Sequence, residues 1–188
     1  MAEIKLVPRS EVDPSITWDM TLLYPSDEAF YAELEKLKKE MKAFKEKYEN
    51  QLGDLEVLNE AIRKYEAIEL AVYRASHYAE LPMTVDRLNP KVVENATAFE
   101  AVSVSYAENM SFVMTELISL DEAFLNQFVA EKRPDLAYFV EKVIRQKKHT
   151  LSKDAEQVLS NLSSLPSFYQ LYEVTKHEDM QFESFEAN

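Results

Sequence analysis

The segment His177–Gln181 (HEDMQ) comes closest in this chain to a metal-dependent hydrolytic motif. In H-E-x-x-H, two histidines four residues apart place both imidazoles on one helical face, where they bind zinc beside a general-base glutamate. Here the second histidine position is Gln181, which is a poor zinc ligand. We therefore interpret the segment as a solvated polar loop and predict no metal site in it.

His77 is a second candidate ligand, because Glu80 follows it by three residues. Di-iron bundles use the reverse order, Glu-x-x-His, on two helices, and that order does not occur in the chain. With Tyr73 and Tyr78 beside it, His77 is interpreted as a partly buried histidine in a tyrosine-rich interface. The absence of cysteine also removes thiolate catalysis and cysteine-bound metals. The sequence thus predicts no catalytic, metal or cofactor-binding residue in this chain.

Other groups of reactive residues are weaker signals. Carboxylates are too abundant, at 34 Asp and Glu, for any pair to stand out. Serine hydrolase chemistry is disfavoured because no serine has the glycine neighbours of a nucleophile elbow. The basic stretch Lys132–Lys153 could contact an acidic surface or a peptide carboxylate, or its cations could simply occupy the last turn of a helix, where the dipole favours them. The second interpretation is preferred.

The tyrosines allow two interpretations. A tyrosine can bury its ring while leaving its hydroxyl free for water or a ligand. Tyr65, Tyr73, Tyr78 and Tyr106 could therefore line a groove that binds peptide, or they could belong to the core and its interfaces. The core interpretation is preferred for most of them.

The elements that hold these residues are helical. The 188 residues include one glycine, Gly53, and seven prolines, which leaves little material for tight hairpins or phosphate-binding loops. We predict an all-α fold: an antiparallel bundle of three long helices, shorter C-terminal helices, and a short strand at the C-terminus. Residues 1–25 are expected to form an extended arm with apolar anchors at Trp18, Leu22, Leu23 and Tyr24, and residues 26–188 a single helical domain.

Capping residues and apolar spacing locate the helices. The first begins at Ser26 or Asp27 and ends near Asn50, with Gly53 as its C-terminal cap. The second runs from Asp54 to about Glu80, and the third begins at Asn89-Pro90. The inward stripes are Phe30, Leu34, Leu37, Met41, Phe44 and Tyr48; then Leu55, Leu58, Ile62, Tyr65, Ile68 and Val72; then Val93, Ala96, Phe99, either Val102 or Ser103, Tyr106, Met110, Val113 and Leu117.

Shorter elements follow. Asp121 is expected to cap a helix that ends before Pro134, and Pro134 to open another with Leu136, Phe139, Val140, Val143 and Ile144 inward. Further helices are predicted over Ser152–Asn161 and Phe168–Lys176, and a strand over Met180–Phe185. The formal net charge of −13 argues against a nucleic-acid partner. No membrane span or secretory signal is evident, so a cytoplasmic location is expected.

Several segments together resemble the N-terminal region of oligoendopeptidase F, a zinc metallopeptidase of the thimet oligopeptidase family. The segments that carry the resemblance are Trp18–Ser26 (WDMTLLYPS), Tyr78–Leu81 (YAEL) followed by Asp86, Ser111-Phe112, Glu116-Leu117, and Ile144–Ser152 (IRQKKHTLS) followed by Glu156. They occur in the family's order over nearly the whole chain.

The resemblance implies that this is the non-catalytic helical lobe of a longer zinc peptidase, truncated before its catalytic domain. It further implies two partners, the catalytic lobe of the same polypeptide and short oligopeptide substrates, with the zinc ion bound by the absent part. The alternative is an independent helical interaction module without catalysis. Because a lobe separated from its partner exposes apolar surface, a homodimer of the fragment is also possible.

Overall fold

A computed structural model of the chain describes residues 11–149 together with Tyr172, Thr175 and Lys176. It divides the chain into two compact units, the first ending at Arg145 and the second beginning at Gln146. The described helices are α1 (Asp27–Tyr48), α2 (Leu55–Glu80), α3 (Pro90–Met110), α4 (Phe112–Ser119), α5 (Glu122–Glu131) and α6 (Ala137–Lys147). No strand occurs among the described residues, which confirms the all-α prediction. The predicted strand Met180–Phe185 and the helix Ser152–Asn161 lie outside them.

Side-chain caps start the helices where the sequence predicts. Ser26 Oγ accepts from a backbone N–H in the first turn of α1, and Asp54 Oδ1 accepts from two in α2. Asn89 and Asp121 cap α3 and α5 in the same way. Each cap satisfies N–H groups that have no partner within the helix, which is why these starts can be read from sequence.

The C-terminal end of α1 differs from the prediction. Asn50 has a left-handed backbone (φ 64°), whereas Gly53 has no positive φ. Gly53 is therefore not the C-terminal cap, and Asn50 occupies the position that follows the cap residue Glu49. Asparagine tolerates this conformation better than most residues because its short polar side chain can form local hydrogen bonds.

Ion pairs define the direction of the first two helices. Lys47 near the end of α1 pairs with Glu60 near the start of α2 (2.7 Å), and Glu40 earlier in α1 pairs with Lys64 later in α2 (3.4 Å). The two helices therefore run antiparallel, as predicted from their short connection.

The third helix reverses direction again. Tyr31 of α1 contacts Asn95 of α3, and Lys45 further along α1 contacts the Glu108 carbonyl further along α3. Hence α3 runs parallel to α1 and antiparallel to α2. The three long helices form an up-down-up bundle around one core.

The predicted core stripes are largely correct. All six stripe residues of α1 are buried, from Phe30 to Tyr48. On α2, Leu58, Ile62 and Ile68 are buried, while the other three predicted residues are half-buried against the core. The sequence pattern missed three buried alanines of this helix, Ala61, Ala75 and Ala79.

Two features of α3 were predicted wrongly. Val93 is exposed rather than inward, whereas the polar Asn95 is buried; of the alternatives Val102 and Ser103, Val102 is the buried one. The helix also ends at Met110, and α4 begins at Phe112 after an interruption at Ser111. After the interruption, Phe112, Val113 and Leu117 of α4 are buried.

In the described part of the N-terminal arm, short 3₁₀ turns form over Pro14–Ile16 and Met20–Leu22. Trp18 is 85% exposed and Leu22 is also exposed, so neither is the anchor that the sequence predicted. Tyr24, another of the predicted anchors, is buried, with its ring edge-on to Phe30 and Tyr78. The guanidinium of Arg74 on α2 donates to the Leu23 carbonyl (2.7 Å) and holds the arm against the bundle.

Candidate functional site

A groove of about 180 Å³ lies between α2 and α3 and is the main candidate site in the described part of the chain. Residues of α2 spaced by three and four line one side, because that spacing places side chains on one helical face. Tyr106 of α3 lines the other side. The lining residues are Glu69, Val72, Tyr73, Ser76 and Tyr106.

A chain of hydroxyl groups ends at the carboxylate in this groove. Tyr106 donates its hydroxyl hydrogen to Glu69 Oε1, and the Tyr65 hydroxyl lies 2.9 Å from that of Tyr106. Since the Tyr106 hydrogen is directed to Glu69, Tyr65 is the donor of the second bond. Burial, followed by the hydrogen bond to Glu69, raises the pKa of Tyr106, and burial likewise raises the pKa of Tyr65. Tyr106 therefore acts as a neutral donor that orients Glu69, and Tyr65 donates in turn to Tyr106.

These bonds decide between the two interpretations of the tyrosines. The hydroxyls of Tyr65, Tyr78 and Tyr106 all bond to groups of this chain, so they are not free for a ligand as one interpretation required. Tyr73 differs, because it is 61% exposed at the rim of the groove. It is the aromatic side chain of this set that a ligand can reach.

His77 lies near Tyr73 on the exposed side of α2. Its Nδ1 is 2.7 Å from the Tyr73 carbonyl, and the two rings are 6.2 Å apart. It is exposed rather than partly buried, which corrects the prediction. Leu70 of α2 and Leu81, the residue that follows the helix, are also exposed.

A second polar cluster joins the three long helices near the start of α1. Asp27 Oδ1 accepts from Tyr78 (2.9 Å) and from Asn95 Nδ2 (3.0 Å), and Lys91 lies 3.5 Å from Oδ2. Tyr31 donates to Asn95 Oδ1 at 2.6 Å. Burial and then the bond to Asp27 raise the pKa of Tyr78 to about 12. Because its members satisfy one another, the cluster stabilises the bundle rather than offering free groups for chemistry.

The basic stretch is largely paired where the structure describes it. Lys132 contacts Glu56 of α2, and Arg145 contacts Glu141 within α6. Arg133 is buried and forks onto Glu66 of α2 at 2.7 and 3.1 Å. Its role as an interhelical link has no sequence signal, since Glu66 lies 67 residues away.

No group of three or more His, Cys, Asp or Glu side chains within the described residues could hold a metal ion. These residues therefore do not fit a zinc site. The segment His177–Gln181 lies outside the described part of the chain. Among the described helices, none is long and apolar enough to cross a bilayer.

The known proteins to which this chain is similar are described as oligopeptidases, oligoendopeptidases or a peptidase. A family model described as Oligopeptidase F matches residues 116–182. The chain is 25% identical to an oligoendopeptidase F homolog of Borreliella burgdorferi over 94% of its length, and 28% identical to oligopeptidase PepF of Bacillus subtilis over 98%. It also aligns over 92% of its length with a crystal structure of a Chlamydophila abortus protein assigned as a peptidase, with a TM-score of 0.69 and 25% identity.

The chain spans less than a third of each of these proteins: 30%, 28% and 29% of their respective lengths. The similarity covers most of the chain and agrees with its helical architecture. It confirms the resemblance to an N-terminal region of oligoendopeptidase F that the sequence predicts.

Proposed function

We propose that this chain is the helical substrate-channel lobe of a zinc metallopeptidase similar to oligoendopeptidase F, which hydrolyses short peptides. The observation that supports the proposal is the share of each protein that aligns. The chain aligns over 94% of its own length but only 30% of the Borreliella burgdorferi relative, whose remaining length can hold a separate catalytic domain. The relatives named above are oligopeptidases or oligoendopeptidases.

The division of labour follows from the residues present. The sequence has three histidines and none in H-E-x-x-H spacing, so the proposal assigns the zinc ion and its general base to the rest of the polypeptide. Zinc would there polarise the scissile carbonyl and activate water. This chain's part is to form one wall of the channel with its helical bundle and to admit extended, short peptides. The cytoplasmic location and the homodimer of the fragment stay predictions.

The test compares this chain with the polypeptide encoded by the same reading frame beyond Asn188. Both are incubated with an internally quenched oligopeptide and with a stably folded protein. We expect the longer protein to cleave the oligopeptide only, to lose activity with a chelator, and to regain it with zinc. The 188-residue chain should show no cleavage. Cleavage by this chain alone, or an inactive longer protein, contradicts the proposal.

An independent helical interaction module is the second candidate. The exposed apolar side of α2, with Leu70 and Tyr73, favours it, because such surface usually meets a partner. A reading frame that continues into an H-E-x-x-H segment supports the peptidase, and one that lacks it supports the module.

A further inference from the structure

We infer that the groove between α2 and α3 binds one cationic group of a short peptide, with Glu69 as the opposing charge. The cationic group is an ammonium or guanidinium, supplied either by a basic side chain or by a free N-terminus. The choice of peptide as the ligand class rests on the proposed function. The choice of a cationic group rests on the groove itself.

Glu69 lacks the kind of cation that pairs with three other glutamates of α2. Glu56 pairs with Lys132, Glu60 with Lys47, and Glu66 with Arg133. Among the described residues, by contrast, no lysine or arginine forms an ion pair with Glu69. A carboxylate held partly out of water gains more from an opposite charge than one in bulk solvent, because the effective dielectric constant is lower. The groove therefore offers a charge that the chain itself leaves uncompensated.

The carboxylate is also held in place before any ligand arrives. Tyr106 donates to Glu69 Oε1, and Tyr65 lies behind Tyr106. A preorganised acceptor loses less conformational entropy on binding than a mobile surface glutamate does. The hydrogen bond from Tyr106 thus favours binding of a cation by Glu69. It leaves acceptor positions free for that cation, because an ionised carboxylate has about four of them.

Tyr73 supplies a second element of recognition at the rim. A cation above a tyrosine ring is attracted by its negative face, and this chain uses that contact elsewhere, with Lys91 5.1 Å from the Tyr31 ring centre and Lys142 4.8 Å from that of Tyr138. The exposed Tyr73 ring and the Glu69 carboxylate line the same groove.

The size of the groove limits what it can accept. Its volume of about 180 Å³ lies below the roughly 300–1,000 Å³ of pockets that hold drug-sized ligands. This suits a single long side chain or a chain terminus, and not a folded partner. The ligand is therefore one residue of an extended peptide, and an acidic residue in that place would be repelled by Glu69.

The experiment titrates the ¹⁵N-labelled 188-residue chain with four pentapeptides and follows amide shifts. One is acetylated with a central lysine, one is all-alanine with a free N-terminus, one is acetylated all-alanine, and one is acetylated with a central glutamate. We expect the first two to shift amides of residues 69–76 and Tyr106, and the last two to bind at least about fivefold more weakly. The first two arms distinguish a side-chain ammonium from an N-terminal one.

Glu69→Gln keeps the shape of the side chain and removes its charge, so it should weaken the lysine peptide about fivefold. Glu100→Gln is the matched control: it changes the net charge equally but lies on the exposed part of α3 outside the groove. The inference is overturned if the neutral peptide binds as tightly as the lysine peptide in the unaltered chain, if both variants weaken binding equally, or if no peptide shifts the groove amides. The peptide series decides the question even if Glu69→Gln does not fold.

Failure here is distinguishable from failure of the proposed function. If the longer protein cleaves oligopeptides but the groove shows no preference for cations, only this inference falls. If the groove prefers cationic peptides but the longer protein has no zinc-dependent activity, the peptidase proposal falls and the groove remains.

Discussion

Asn95 donates a hydrogen bond from Nδ2 to Oδ1 of Asp27, 3.0 Å away, and so joins the second turn of α3 to the first turn of α1. Asn95 is only 8% exposed, and its Oδ1 accepts the Tyr31 hydroxyl hydrogen. One amide thus satisfies a carboxylate and a phenol on the neighbouring helix. Such a buried amide is costly to remove, since its partners lose their bonds together.

Replacing this amide should destabilise the protein. We expect Asn95→Ala to lower the free energy of unfolding by about 1–3 kcal/mol, because Asp27 and Tyr31 lose a partner in a partly buried place. Urea denaturation followed by circular dichroism measures the change. Asn109→Ala is the control, because Asn109 bonds only to Ser105 of its own helix; equal losses for the two variants would contradict an interhelical role.

The same cluster predicts a loss of stability in acid. Burial raises the pKa of Asp27, but the bonds from Asn95 and Tyr78 and the charge of Lys91 outweigh it, so the pKa lies below its ordinary value of 3.8. A lowered folded-state pKa contributes stability that is complete above the unfolded-state value and is lost as the pH falls through the folded-state value. We therefore expect the Asp27 contribution to decline below about pH 4.

Denaturation midpoints measured from pH 7 to pH 2 check this. Asp27→Asn should be less stable than the unaltered chain at pH 7, and the difference should shrink as the pH falls below 4. Glu100→Gln is the control: its difference in stability from the unaltered chain should not follow the protonation of Asp27. An Asp27→Asn difference that stays constant over the whole range would refute the assignment.

The helical faces can be checked with one core and one surface residue. Phe99 is 6% exposed in the core, whereas Lys39 is exposed on α1. Phe99→Ala should cost about 3–5 kcal/mol through lost burial and a residual cavity, and Lys39→Ala less than about 0.5 kcal/mol. Comparable costs in guanidinium denaturation would mean that the faces are wrong.

A further prediction concerns the bonds that Arg133 forms with Glu66 and Asp135. Arg133 is 7% exposed and bonds both Glu66 and Asp135, so Arg133→Ala should cost about 1.5–3 kcal/mol, the range for bonds to charged groups. Arg145→Ala, whose pair with Glu141 is exposed on both sides, should cost less than about 0.5 kcal/mol. Thermal melts of the two variants give the comparison, and a milder effect at Arg133 than at Arg145 argues against the link.

The sequence alone determined the helices and most of their inward faces. The starts at Ser26, Asp54 and Asn89 are local, because each cap bonds N–H groups two or three residues away. The α1 stripe from Phe30 to Tyr48 is also local, since helical periodicity alone places its residues on one side. Both signals arise within a single helix, so they can be recognised from the sequence alone.

Only the tertiary structure decided how polar and aromatic groups are used. Asn95 is buried because Asp27 and Tyr31, more than sixty positions away, meet it there. Of the predicted anchors of the arm, Trp18 is exposed and Tyr24 is buried against Tyr78, a difference that the shared apolar character of the two side chains does not predict. The cations that pair with Glu56, Glu60 and Glu66 of α2, and the absence of one at Glu69, likewise depend on which helices become neighbours. Long-range partners of this kind leave no periodic trace in the chain, so no local pattern reveals them.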